Sequence, residues 1–204
     1  MTSTAPLLTR TSTAFTDTAF TDVAIKRQAD VCSKQLLSGE IVLETRSHSA
    51  WGGAVTAQMY LPLERANAWR QLTDYPRWVQ YFPALTRSEI ISHNDFRLGK
   101  QSAKDGCKRL YQVAGKAFLF LTAQVDIYLK VIETAHQQIQ FRLESGSFHD
   151  FAADLTLQDY SNGTLLTYSV QATPTIPVPS IFIQQAIQMD LPANMRRMRQ
   201  VLCR

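Results

Sequence analysis

The residues that could do chemistry in this 204-residue chain are few and scattered. His48, His93, His136 and His149 stand at no spacing that would let two imidazoles share a metal, and each reads as a surface residue near a strand end. Cys32, Cys107 and Cys203 are far apart, with no CxxC pair and no neighbouring His. That pattern argues against a zinc site and against a disulfide framework, and it fits a reducing compartment. There is no GxSxG elbow, no phosphate-cradling glycine loop and no dinucleotide fingerprint. Asp150 and Asp154 fall with Thr156 on one face of a strand, where carboxylates meet solvent. Three polar groups keep a chemical reading. Arg109 beside Tyr111 suits a polar anchor for a ligand head group. Asp190, on a helix beside an apolar stripe, reads equally well as lining an interior space or facing water. No metal, no cofactor and no catalytic residue is assigned.

The positive pattern is a surplus of large apolar groups. Trp78, Tyr81 and Phe82 crowd into one short stretch, and Tyr111, Phe118, Phe120, Phe141, Phe148, Phe151 and Phe182 follow. Taken singly, each is ordinary core material. Together with Ile183 and Ile187 they suffice to wall a pocket on the order of a few hundred Å³, with a small number of polar groups for orientation. Each buried ligand methylene would contribute about 0.8 kcal/mol, so an acyl or polyprenyl tail needs no charged contact to be held.

The elements that must position these groups can be read from periodicity. In Pro177–Leu202 the residues Ile183, Ile187, Leu191, Met195, Met198 and Leu202 recur every three or four positions, one stripe of a long amphipathic helix. Such a helix spans roughly 35 Å and needs a broad apolar surface to lie on. Pro179 suits its first turn, Pro192 interrupts its interior, and Arg196, Arg197, Arg199 and Arg204 complement the negative end of its dipole.

Upstream, Gly39–Leu61 alternates as one long first strand with a bulge at Gly52-Gly53. Pro62 opens a helix with Ala66, Trp69 and Leu72 on one face, and a second short helix runs from Pro76 to Pro83. Six strands follow: Arg87–His93, Cys107–Ala114, Leu121–Ile132, Gln138–Glu144, Phe151–Asp159 and Leu165–Thr173. Phe151, Ala153, Leu155 and Leu157 should match Leu166, Tyr168, Val170 and Ala172 on one face, across a tight Asn162-Gly163 turn. Strands with one wet and one apolar face make an antiparallel sheet covered on one side. The expected class is α+β: a curved seven-stranded antiparallel sheet wrapped around a long C-terminal helix, with two short helices after the first strand.

Length and composition bound the rest. The chain suits one domain, with 45% hydrophobic and 19% charged residues, and no run is long enough to span a bilayer. The net charge of +4, gathered near the terminal arginines, gives no basic stripe for nucleic acid. The expected organisation is a flexible N-terminal extension over 1–36 and one domain over 37–204. The extension is rich in Thr, Ser and Ala and repeats AFTDT as AFTDV, with a short helix expected within Val23–Leu37. It lacks an apolar secretory core, and Asp17, Asp22 and Asp30 count against a transit peptide, so a cytoplasmic location is expected. Peripheral membrane contact through Arg196, Arg197 and Arg199 is the weaker reading, since such a run is more often a solvated face. Oligomeric state is left open.

One segment also carries a family likeness. Ala68 to Leu85, AWRQLTDYPRWVQYFPAL, resembles the VWxxLTDYxxxxxFxPxL segment of the polyketide cyclase/dehydrase and lipid-transfer superfamily (START-like, SRPBCC), and is most similar to its coenzyme Q-binding START-like branch. Gly146, the Thr164-Leu165-Leu166-Thr167-Tyr168 strand, and the Pro174, Pro177, Pro179 run leading to Asp190-Leu191-Pro192-Ala193-Asn194 match as well. The likeness covers about residues 39 to 203. It implies a helix-grip fold with an internal cavity, and binding or carriage of a hydrophobic small molecule, an isoprenoid quinone or other lipid, without catalysis. The alternative it implies is a polyketide aromatase/cyclase, which works mainly by positioning, and for which Arg109, Tyr111 and Asp190 would handle protons. The ligand-binding residues expected on either reading are Trp78, Tyr81, Phe82, Arg109, Tyr111, Phe120, Phe141, Phe148, Phe182, Ile183, Ile187 and Asp190.

Overall fold

The computed structural model describes residues 30–91, 107–118, 121–175 and 180–204. Helical residues 30–37 (α1) lead into an antiparallel hairpin of β1 (Val42–Ser49) and β2 (Gly52–Leu61). Helix α2 (Arg65–Leu72), a 3-10 turn (Tyr75–Arg77) and α3 (Trp78–Tyr81) follow. Next come β3 (Leu85–Ile90), β4 (Lys108–Phe118), β5 (Leu121–Thr134), β6 (Gln138–Gly146), β7 (Phe148–Tyr160) and β8 (Gly163–Pro174), and helix α4 (Ser180–Leu202) completes the order. All eight strands form one antiparallel sheet in the order β1-β2-β8-β7-β6-β5-β4-β3. The helical connection α2–α3 thus leaves the sheet near one edge and re-enters at the other, crossing its apolar face. Helix α4 lies on the same face, against β1, β2 and α3. This is the helix-grip arrangement.

Among the described residues the sheet has eight strands where seven were expected, because Gly39–Leu61 holds two strands. The chain reverses over Ser49–Gly52 instead of bulging. Gly52 makes the reversal possible. A Cβ there would lie 2.4 Å from Thr173 Oγ1 and 2.8 Å from the Ala172 carbonyl, so only glycine lets the turn close on β8. The β7–β8 turn is displaced by one residue from the expected Asn162-Gly163. Ser161 takes the positive φ of 51°, and Gly163 already pairs with Tyr160. Gly163 is needed for a different reason: a Cβ on it would meet the Leu61 carbonyl at 2.2 Å.

The alternating face expected for β7 and β8 is the one that pairs: Phe151 with Ala172, Ala153 with Val170, Leu155 with Tyr168 and Leu157 with Leu166. In α2 the buried pair is Ala68 and Leu72, while Trp69 is half-buried against the His136 ring and Ala66 is exposed. Helix α4 buries Leu191, Met195, Met198, Val201 and Leu202. Its basic end is tied down by its own side chains. Arg199 donates to the Gly39 carbonyl at 2.6 Å and Arg197 to the Gln80 carbonyl at 2.7 Å, while Gln71 Nε2 donates to the Leu202 carbonyl at 2.8 Å. Helix α1 docks through buried Leu36 and a 2.6 Å contact between the Ser33 and Tyr160 hydroxyls. Residues 1–29, which hold the duplication, lie outside the described residues, as does His93.

Candidate ligand site

The face of the sheet turned toward α4 is not uniformly packed. At the end where α2 and the C-terminus of α4 lie, inward residues are sealed: Leu61 and Met59 on β2, Leu166 on β8, Leu155 on β7 and Ile139 on β6 are all fully buried. Toward the other end, where α4 begins, the same faces open stepwise. On β8, Leu166 is 0% exposed and Tyr168 8%, while Val170 and Ala172 are half-buried. On β7, Leu157, Leu155 and Ala153 are buried, whereas Phe151 and Phe148 are half-buried. Ile139 and Phe141 give way to half-buried Leu143 on β6, and Leu129 to half-buried Val125 on β5. Four strands therefore carry one gradient, closed at one end and reached by solvent at the other. The amide of Ser180, the first residue of α4, donates to the Ala50 carbonyl of the β1–β2 turn and holds the helix start over the open end.

A knot of rings forms the floor between the two ends. Trp78 lies edge-on to Phe141 at 5.0 Å, stacks on Phe82 at 5.7 Å and meets Tyr75 and Tyr81 at 6.2 Å, and its Nε1 donates to the Leu72 carbonyl at 2.8 Å. Tyr81 is fully buried and donates to the Gln71 carbonyl. Phe82 alone of this group is half-buried, with its ring 6.2 Å from that of Tyr168. Of the residues expected to contact a ligand, Trp78, Tyr81 and Phe141 are thus filled core, and Phe82 and Phe148 stand at the boundary. Ile183 and Asp190 are half-buried on α4. Phe120 and the side chains of Phe182 and Ile187 lie outside what is described.

Arg109 and Tyr111 are on the wrong side for the role expected of them. Leu110 between them is fully buried and pairs with Leu129 on the inner face, so the strand's alternation turns its two neighbours to the outer one. There Arg109 forms an ion pair with Glu144, while Tyr111 packs on Tyr128 at 4.6 Å under the Arg87 guanidinium. The same outer face carries the two strand carboxylates, each engaged: Asp154 accepts from Arg142 at 2.8 Å, and Asp150 contacts His48 Nε2 at 2.6 Å. Among the described residues no group of His, Cys, Asp and Glu is placed to hold a metal, and no helix is long and apolar enough to cross a membrane.

A set of paired polar groups on the inner face gathers around Tyr75. The Tyr75 hydroxyl donates to Glu133 Oε1, which also accepts from Lys108 Nζ at 2.7 Å. Ser88 Oγ donates to the Tyr75 carbonyl at 2.7 Å and accepts from Gln112 Nε2 at 3.1 Å. Burial, reinforced by the Glu133 carboxylate, pushes the Tyr75 hydroxyl far above the usual phenol range, and burial alone does the same to Tyr168. Burial also pushes Tyr81 up to about 12, against the opposing pull of Arg77. In the unfolded chain each phenol ionises near pH ~10. Below that pH the three contribute their full stability. Between about pH 10 and 12 the unfolded chain sheds protons that the fold retains, so stability falls as pH rises. The slope approaches at most about 1.4 kcal/mol per pH unit for each tyrosine. Urea unfolding at about pH 9 and about pH 11 should show this loss, and Tyr81→Phe should reduce it by one tyrosine's share. An unchanged slope in that variant would contradict the assignment.

Sequence reasoning passed over Tyr168, Val170 and Leu143 as site residues, treating them only as members of an alternating face. What distinguishes them is their height along the strand, set by pairing partners distant in sequence.

Residues 61–199 match the sequence profile of the polyketide cyclase/dehydrase and lipid transport family. No curated protein matches the chain in sequence. Among solved structures, a START superfamily protein from Mycobacterium smegmatis superposes with a TM-score of 0.57 at 15% identity, over 73% of this chain and 96% of that one. A STAR-related lipid transfer protein from Xanthomonas axonopodis gives 0.54 at 13% identity, over 79% and 99%. The Zhui aromatase/cyclase from a Streptomyces species gives 0.55 at 10% identity, over 74% and 93%. At such identities the superpositions establish the fold. With two thirds of its length matched by the profile and its strands wound into the helix grip, the chain belongs to the polyketide cyclase/dehydrase and lipid transport family.

Proposed function

We propose that the protein binds and carries a hydrophobic small molecule, an isoprenoid quinone or another lipid, between the open end of the sheet and the first half of α4, without catalysing its conversion. The observation that carries this reading is the gradient of burial along β5 to β8, which leaves Phe148, Phe151, Leu143 and Val170 half-buried on a face whose other half is sealed. Residues of that character gain roughly 25 cal/mol for each Å² that a guest removes from water. Family membership supports a hydrophobic ligand, since lipid transport is among its described activities. The aromatase/cyclase alternative draws on fold neighbours such as Zhui, but two of the three residues assigned to it, Arg109 and Tyr111, are engaged on the outer face. Docking through the basic end of α4 is weakened likewise, because Arg197 and Arg199 are occupied by backbone carbonyls. Native mass spectrometry of the purified protein should show a co-purifying lipid that organic extraction removes. Protein that is consistently ligand-free, and whose tryptophan fluorescence ignores added ubiquinone analogues, would overturn the reading.

A further inference from the structure

Among the described residues, the buried polar side chains of the inner face are paired with one exception. The Tyr75, Tyr81, Ser88, Thr164 and Trp78 side chains each donate to a named oxygen of the protein. Tyr168 is more than nine-tenths buried, yet no hydrogen bond from any described residue reaches its hydroxyl. Every side-chain nitrogen or oxygen sealed from solvent among the described residues has a partner, so this unpartnered oxygen is not sealed. It keeps a residual contact with solvent while its ring is enclosed. The location fits: Tyr168 pairs laterally with Ala57 and Leu155, both fully buried, and the next inward residue up the strand is half-buried Val170. The hydroxyl therefore stands at the floor of the open region, beside Phe82.

The surroundings also select a partner. Burial alone shifts this phenol, with no contribution from a charged side chain, so the group stays protonated and is a donor in an uncharged setting. Among the described residues the ion pairs on the inner side of the sheet lie elsewhere: Lys108 with Glu133 beside Tyr75, three strands from Tyr168, and Arg65 with Asp159 at the far end of β7. A carboxylate brought to Tyr168 would lose its hydration without gaining a cation, and a plain hydrocarbon would leave the hydroxyl unpaired.

Resting on the carrier reading above, we propose that the Tyr168 hydroxyl donates a hydrogen bond to an uncharged oxygen of the guest, such as a ketone, quinone or ester carbonyl. The site thereby selects neutral oxygenated lipids over hydrocarbons and over fatty carboxylates.

The test compares 2-undecanone, undecane and undecanoate as competitors of Nile red on the full chain and on Tyr168→Phe, which keeps the ring and its contact with Phe82. For the wild type the ketone should bind best, about three- to tenfold more tightly than the alkane, the range of one hydrogen bond. In Tyr168→Phe that preference should vanish, while alkane affinity and the thermal midpoint hold or rise. A ketone preference that survives in the variant, or undecanoate binding best to the wild type, overturns the proposal and leaves the carrier reading standing. If none of the three competes, both fall. A second measurement needs no variant. The infrared carbonyl band of bound 2-undecanone should move to lower frequency than in hexane, and an unmoved band also overturns the proposal.

Discussion

Replacing Trp78 with alanine is expected to lower stability by about 3–5 kcal/mol, the range for truncating a large core aromatic. The indole is 4% exposed and touches four other rings, so its removal leaves a cavity bounded by Tyr75, Tyr81, Phe82 and Phe141. It also strips the Leu72 carbonyl of its donor at the C-terminus of α2, where helical carbonyls already lack partners. The midpoint of thermal unfolding should fall by roughly 10 °C for a domain of this size. Phe82→Ala, one turn on and half-buried, should cost distinctly less, about 1–2 kcal/mol. Urea unfolding of the two variants measures the contrast. Equal losses would mean that the knot is not the closed floor described here. A loss below about 1 kcal/mol for Trp78→Ala would remove it from the core altogether. The comparison matters because both rings belong to a segment whose sequence invites a ligand-binding role, and the two positions divide between holding the fold and facing the open region.

That division illustrates what periodicity can and cannot resolve. Alternation identified the inner face of β7 and β8 residue by residue, because a slip of one position would send Leu155, Leu157, Leu166 and Tyr168 into water together. It was weaker where both faces carry bulky residues. In β4 the run Lys108-Arg109-Leu110-Tyr111 offers two apolar candidates for the core, and the choice falls to pairing with Leu129, which is 19 positions away and so invisible locally. Taking Tyr111 as the inward residue carried Arg109 to the wrong face with it. The first strand failed for another reason. Ser49, Ala50 and Trp51 lack the usual residues of a tight hairpin, so the reversal depends on Gly52 fitting against β8, a contact made by residues more than a hundred positions later. The site has the same character. Trp78, Tyr81 and Phe82 are legible as a cluster, but which of them meets open space depends on where along the strands α3 and α4 settle. The importance of Tyr168 rests on a missing hydrogen bond, which only three-dimensional bookkeeping reveals.

Filling the open region from within should separate ligand binding from folding. Val170 is the inward residue immediately beyond Tyr168, half-buried, and flanked by Val55 and Ala153, which are 2% and 1% exposed. In Val170→Trp the indole would project into the space assigned to the guest. If it displaces even three ligand methylenes at about 0.8 kcal/mol each, affinity for a long-chain ketone should fall on the order of fifty-fold. Stability should move in the other direction or stay within about 1 kcal/mol, since the added ring covers apolar surface of Phe151 and Leu143 that water now reaches. A solidly packed interior predicts the reverse pattern: the oversized side chain would force its neighbours off their rotamers at a cost of about 1–3 kcal/mol, with no affinity to lose. Dye competition and urea unfolding on the same preparation read both quantities. Retained affinity in a variant of unchanged stability would place the guest elsewhere on the molecule, and lost stability would close the space on which the carrier reading depends.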